Sequence, residues 1–196
     1  VQARLAAAGL SSQPLAPMVR GRLVAINGKA ISGDAYSDER AQRLVEREFN
    51  LSYLDALPSS NTIIAGRWID PANDEVSLED GLAKTLKIKL GDTLTFDIAG
   101  QATTVAVSSL REVKWDSFDV NFFAVMSPRA LEDAPTTFIT SFHLPADKIA
   151  FKQQLVHDFP NLTVFDVGAI LAQVKNILDQ VIGAVQSLFL FTVAAG

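Results

Sequence analysis

The chain has 196 residues, 48% of them hydrophobic and 8% aromatic, which fits one domain or two small ones around a proper core. Its formal net charge of −5 argues against a nucleic-acid partner, which clustered Lys and Arg would signal. Cysteine is absent, which excludes thiol catalysis, disulfides and Cys-based zinc sites. The charge is uneven: residues 1–66 hold seven basic and six acidic groups, and residues 67–196 hold ten and sixteen.

Residues 1–10 are rich in Ala and Leu, which predicts a helix with Gly9 at its C-cap. That helix starts without an N-cap residue, as if cut out of a β-α-β unit. Two prolines make 11–17 a loop. Residues 18–26 read as a strand, with Val19, Gly21, Leu23 and Ala25 on one face, and Asn27-Gly28 follows as a turn. Residues 38–46 form a short polar helix or an ordered loop. Strands are expected over 49–54 and 62–65, separated by a turn at Pro58, Ser59, Ser60 and Asn61. Residues 69–75 are a polar loop with Pro71.

Residues 75–113 are the best organised stretch of the chain. Leu78, Leu82 and Leu86 recur at helical spacing, so the stretch is expected to begin as a short helix. Leu90-Gly91-Asp92 breaks that pattern. Residues 93–98 then alternate with period two, as a half-buried strand does. Ala99-Gly100-Gln101 is a hairpin turn in which Gly100 is free to take a positive φ. Residues 103–110 return as the partner strand, with Val105 and Val107 on one face.

Residues 115–119 interrupt the strands, and 122–126 form another. Ser127-Pro128 starts a short helix, which Pro135 ends. A β-α-β unit is then expected: strand 138–144, helix 147–158 and strand 161–165, with the strands as parallel neighbours. Helix 1–10 plus strand 18–26 is a weak echo of helix 147–158 plus strand 161–165. Asp166 can cap a last helix, along which Ile170, Val174, Ile177, Val181, Ala184 and Leu188 form a near-heptad stripe. Residues 181–196 carry no charge, but they fall short of the roughly 20 needed to span a bilayer. They read either as a buried core helix or as a stalk entering a membrane. In the second reading the entry is at Leu188, Phe189, Leu190 and Phe191, and the chain is cut just inside the bilayer. The apolar end of the sequence favours the stalk, because such a tail is costly when exposed.

Motifs that carry chemistry are missing. There is no G-x-S-x-G, no H-E-x-x-H and no phosphate-binding G-x-x-x-x-G-K-[ST]. Gly81-Leu82-Ala83-Lys84-Thr85 lacks the glycine before lysine and reads as an ordinary amphipathic helix. His143 and His157 are the only histidines, too few for a zinc site without convergent carboxylates, and no metal or cofactor is expected. Asp97, Asp116 and Asp119 read as solvated surface acids. Trp115, Phe118, Phe122 and Phe123 fall within nine residues and form the candidate contact for a partner or cargo. The plainer reading puts Phe122 and Phe123 in the core and lays Trp115 over the hairpin.

Several of these runs, taken together and in order, resemble a known family. They are Ser77-Leu78-Glu79, Leu82-Ala83 and Leu86-Lys87-Ile88-Lys89-Leu90-Gly91-Asp92, with Ala65-Gly66-Arg67-Trp68 upstream and Asn121-Phe122-Phe123 and Ser127-Pro128 downstream. The resemblance is to the extracytoplasmic domain of FtsX-like and MacB-like ABC transporter permeases, most closely the YbbP-like branch. It covers about residue 18 to the end of the sequence.

The resemblance implies an α+β fold with a discontinuous β-α-β porter-like layer (1–68 and 120–167). A β-rich sabre-like insertion (69–119) and a long C-terminal stalk helix (168–196) leading into a transmembrane segment complete it. It implies a non-catalytic, periplasmic domain of an inner-membrane protein. That domain would couple ATP hydrolysis by a separate cytoplasmic ATPase to export or extraction of a hydrophobic, lipid-like or lipoprotein cargo. Homodimerisation is open. No signal peptide is visible, and under this resemblance a preceding transmembrane helix takes its place. Two alternatives come from other classes. One is a soluble module holding a small apolar ligand between subdomains, and the other is a hydrolase using Asp116 or Asp119 with His143.

Overall fold

A computed structural model of the chain describes residues 1–117, 119–168 and 173. The chain divides into two compact units, Leu5–His143 and a second made of Val1–Arg4 with Leu144–Gly196. The fold is mixed α+β.

The first helix, α1 (Gln2–Ala7), ends as its sequence predicts. Leu10 N–H donates to the Leu5 carbonyl and Gly9 N–H to the Ala6 carbonyl, the paired bonds of a Schellman cap. The strands that follow are β1 (Ala16–Ile26) and β2 (Lys29–Ala30), joined through the Asn27-Gly28 turn. Helix α2 (Glu39–Glu46) precedes β3 (Phe49–Tyr53) and β4 (Asn61–Gly66). Then come β5 (Glu75–Glu79), α3 (Asp80–Leu86), β6 (Thr93–Ile98) and β7 (Gln101–Val113). Strands β8 (Ala124–Met126) and β9 (Thr136–Ile139) complete a nine-stranded sheet.

The sheet closes on itself. Strand β1 pairs with β3, β3 with β8, β8 with β5, β5 with β7, β7 with β6, and β6 returns to β1. These pairings make a six-stranded barrel with no free edge within the ring. The β3–β8 and β5–β7 pairs are parallel and the other four antiparallel. Three staves (β1, β3, β8) come from 1–68 and 120–167, and three (β5, β6, β7) from 69–119. Inward residues fill the barrel: Val19, Leu23, Leu51, Val76, Leu78, Leu94, Phe96, Val105, Val107 and Met126 form one cluster with the buried face of α2 and of α3. A cavity of about 10 Å³ lies among Leu23, Phe49, Leu78, Leu94 and Phe96. That is at the lower limit for a single water, so the barrel interior is a packed core.

Two devices fix the barrel's register. A register shift in the β5–β7 ladder lies between Val76 and Ser77. Beyond it, Ser109 stands opposite Ser77 and Arg111 opposite Glu79, while Leu110 keeps company with Leu78. Gly66 sits where β4 meets this irregularity, at φ +78°, and a Cβ there would lie 2.1 Å from the Ser108 carbonyl oxygen. The Leu90-Gly91-Asp92 turn acts as a clamp. One Asp92 carboxylate oxygen accepts from Asn27 Nδ2 at 2.9 Å and the other from Lys89 N–H at 2.7 Å, so the turn after α3 is pinned to the β1–β2 hairpin. The Asn27 bond, then the Lys89 bond, hold the Asp92 carboxyl below its usual range.

Three sequence expectations are corrected. The stretch from Glu75 begins as a strand, and the helix starts only at Asp80. Strand β5 is flanked by β7 and β8, and its first four residues are buried. A strand walled in on both faces has no period-two alternation to reveal it. The Leu78–Leu82 spacing thus joins two different elements. The predicted strand 122–126 shortens to Ala124–Met126, because the Phe122 carbonyl is taken by a side chain and not by a ladder. The β-α-β unit does not form: β9 pairs antiparallel with β1, and 161–166 follows α4 (Ile149–Asp158) without joining any strand. Alternation without a neighbouring edge makes no ladder. The stalk stripe and the entry residues Leu188, Phe189, Leu190 and Phe191 lie outside the described residues. No helix among the described residues is long and apolar enough to cross a membrane.

Candidate functional site

The four aromatics of the 115–123 segment separate. Phe122 is buried in a second apolar cluster with Ala16, Ile69 and Val125, against which Trp68 packs. It therefore offers no contact surface. Phe118 lies outside the described residues. Trp115 is 48% exposed and stacks obliquely on the half-buried Phe123, with ring centroids 4.7 Å apart. Trp115 thus covers Phe123.

Helix α2 supplies the other half of the site. Asp38 caps it by accepting from Arg40 N–H at 2.8 Å. Ala41, Leu44 and Val45 form its buried face. Arg40 and Arg43 stand at i and i+3 on the helix, and Arg47 follows as its C-cap with extended backbone. The three arginines line a groove of about 330 Å³ together with Leu44 and Leu82, both buried, and the half-buried Phe123. The Arg47 guanidinium carbon stands 5.5 Å from the Phe123 ring centroid and 5.4 Å from that of Phe49, within cation–π range of both. Arg43 pairs with Glu39 at 3.3 Å on the exposed side of the helix. Among the described residues, no carboxylate comes within ion-pair distance of Arg40 or Arg47. The 38–46 segment reads from sequence as merely polar, and the arginines at 40, 43 and, just past its end, 47 were the signal there.

The motif residues upstream have structural work. Arg67 donates to both Glu75 carboxylate oxygens, at 2.5 and 2.9 Å, and Asp70 N–H adds a third bond at 2.8 Å. The hydrogen bond from Arg67 holds the Glu75 carboxyl below its usual range against the opposing effect of burial. Arg111 is fully buried and donates to Asn61 Oδ1 and to the Phe122 carbonyl. Burial pulls its pKa down to about 10, which the Glu79 charge opposes. His157 is exposed beside Asp158, and no hydrogen bond or ion pair links His143 to Asp116 or Asp119 among the described residues.

No protein-family model matches the chain, and no solved structure does. A curated relative does match, over nearly the whole chain. With 38% identity over 180 residues, 92% of its length, the chain is related to the ABC transporter permeases of the FtsX- and MacB-like type. The relative is an uncharacterized ABC transporter permease, YbbP, of Escherichia coli (strain K12). The chain spans 21% of that relative's length.

Proposed function

We propose that this chain is the extracytoplasmic, periplasmic domain of an inner-membrane ABC permease subunit. The 38% identity across 92% of the chain carries the reading. The domain is non-catalytic. It couples ATP hydrolysis by a separate cytoplasmic ATPase to export or extraction of a hydrophobic, lipid-like or lipoprotein cargo. In this reading 1–68 and 120–167 make the porter-like part and 69–119 the sabre-like part, the two sharing one barrel. Residues 168–196 are the stalk, entering the bilayer at Leu188, Phe189, Leu190 and Phe191, and a homodimer of the permease fits the same scheme. Phe165 and Val167, 75% and 51% exposed just ahead of the stalk, suit a chain approaching lipid. The exposed Trp115 and the Phe123 beneath it are the cargo or partner contact.

The test is to purify the full-length permease from membranes and identify what accompanies it. An ATPase subunit and bound lipid or lipoprotein are expected. A protein that comes out of the membrane with neither contradicts the reading.

A further inference from the structure

The geometry points to a binding site, in the groove between α2 and Phe123, for the anionic head group of an amphiphile whose apolar chain lies on Leu44, Leu82 and Phe123. The inference deepens the cargo reading above and rests on it for the site's role, though not for the binding itself.

An ordinary basic helix face projects into water and needs no apolar floor. Here Arg40, Arg43 and Arg47 converge on a concavity of about 330 Å³ that ends on apolar side chains. That volume falls at the small end of the range for small-molecule sites, roughly 300–1,000 Å³. Guanidinium suits an anionic head group because it is planar, weakly hydrated, and presents paired N–H groups that match a carboxylate or phosphate. Arg40 and Arg47 have no carboxylate at ion-pair distance among the described residues, and Arg43 holds Glu39 only through an exposed pair that an incoming anion can displace. Arg47 is pre-positioned by its contacts with the Phe49 and Phe123 rings, so less side-chain entropy is lost on binding. A bare anion would leave the floor unused, and a neutral amphiphile would leave the guanidinium groups unused. Carboxylate and phosphate head groups both satisfy the arginines.

The test is calorimetric titration of this chain with dodecanoate and with dodecyl phosphate, each below its micelle concentration. Saturable binding of one molecule per chain is expected for either or both. Inorganic phosphate and the neutral dodecyl maltoside should bind at least about tenfold more weakly, a difference of roughly 1.4 kcal/mol. Arg40→Gln with Arg47→Gln should weaken binding by a similar factor, while Arg22→Gln, on β1, should leave it unchanged. Arg40 has no ion pair to lose among the described residues, so Arg40→Glu alone carries the test should the double variant unfold. Equal binding of inorganic phosphate, equal binding of the maltoside, tighter binding of an acidic peptide, or indifference to the arginine changes would each overturn the site. Binding by this chain together with a full-length permease that moves no cargo would remove the transport reading and leave the site standing. Transport without binding here would do the reverse.

Discussion

Arg111 Nη2 lies 2.5 Å from the carbonyl oxygen of Phe122, and this bond takes an acceptor that the β8 ladder leaves unused. Asn61 Oδ1 accepts from the same guanidinium, and Asn61 Nδ2 donates to Asn121 Oδ1 at 2.7 Å. A fully buried cation thus ties β4, β7 and the segment before β8 together. Arg111→Ala removes the donor, strands two acceptors and leaves a void. Each orphaned acceptor costs about 1–3 kcal/mol and the void adds to that, so a loss of about 3 kcal/mol or more is expected in urea unfolding. Arg111→Met refills the volume without the bonds and should lose clearly less. Equal losses for the two would mean that the hydrogen bonds matter little.

The Arg67–Glu75 pair makes a pH-dependent contribution. Arg67 lowers the folded-state pKa of Glu75, chiefly through its hydrogen bonds. The stabilisation is therefore present above the unfolded value of about 4.3 and is lost as pH falls through the lowered folded value. The Glu75→Gln variant lacks this dependence. The stability gap between parent and variant should be widest near about pH 6 and shrink progressively below about pH 4. A gap that stays constant over that range would show that Glu75 does not titrate differently in the folded state.

Gly66 and Gly100 separate steric need from conformational need. Both have positive φ, +78° and +86°, but a Cβ at Gly100 meets nothing within 4 Å, whereas one at Gly66 runs into β7 backbone. Gly100→Val should cost about 1 kcal/mol or more from conformation alone. Gly66→Ala should cost more than that although alanine is smaller, because the Ser108 carbonyl must move. A thermal or urea midpoint unchanged in Gly66→Ala would show that β4 shifts freely along β7.

What the sequence disclosed follows local physics. The β6–β7 hairpin was legible because Thr93 to Ile98 alternates and Ala99-Gly100 permits only a tight turn. The Schellman cap at Gly9 and the Asn27-Gly28 turn were legible for the same reason. Strand β5 was hidden because burial on both faces erases alternation. Barrel closure was hidden because it depends on β6 lying between β1 and β7, and pairing across some seventy residues leaves no local trace. The contact residues fared likewise. Trp115 and Phe123 were picked out by composition, but Phe122 alternates to the other face and Arg40, Arg43 and Arg47 join the site only through the packing of α2 beside α3.

The periplasmic placement of the domain is the claim on which the rest depends, and cysteine labelling tests it directly. The chain has no cysteine, so Lys29→Cys, on the exposed strand β2 that pairs with β1 outside the barrel ring, introduces a unique thiol into it. In a full-length permease freed of other cysteines, a membrane-impermeant maleimide should label this position in intact spheroplasts as completely as after lysis. Labelling that appears only after lysis would put the domain on the cytoplasmic side and contradict the account.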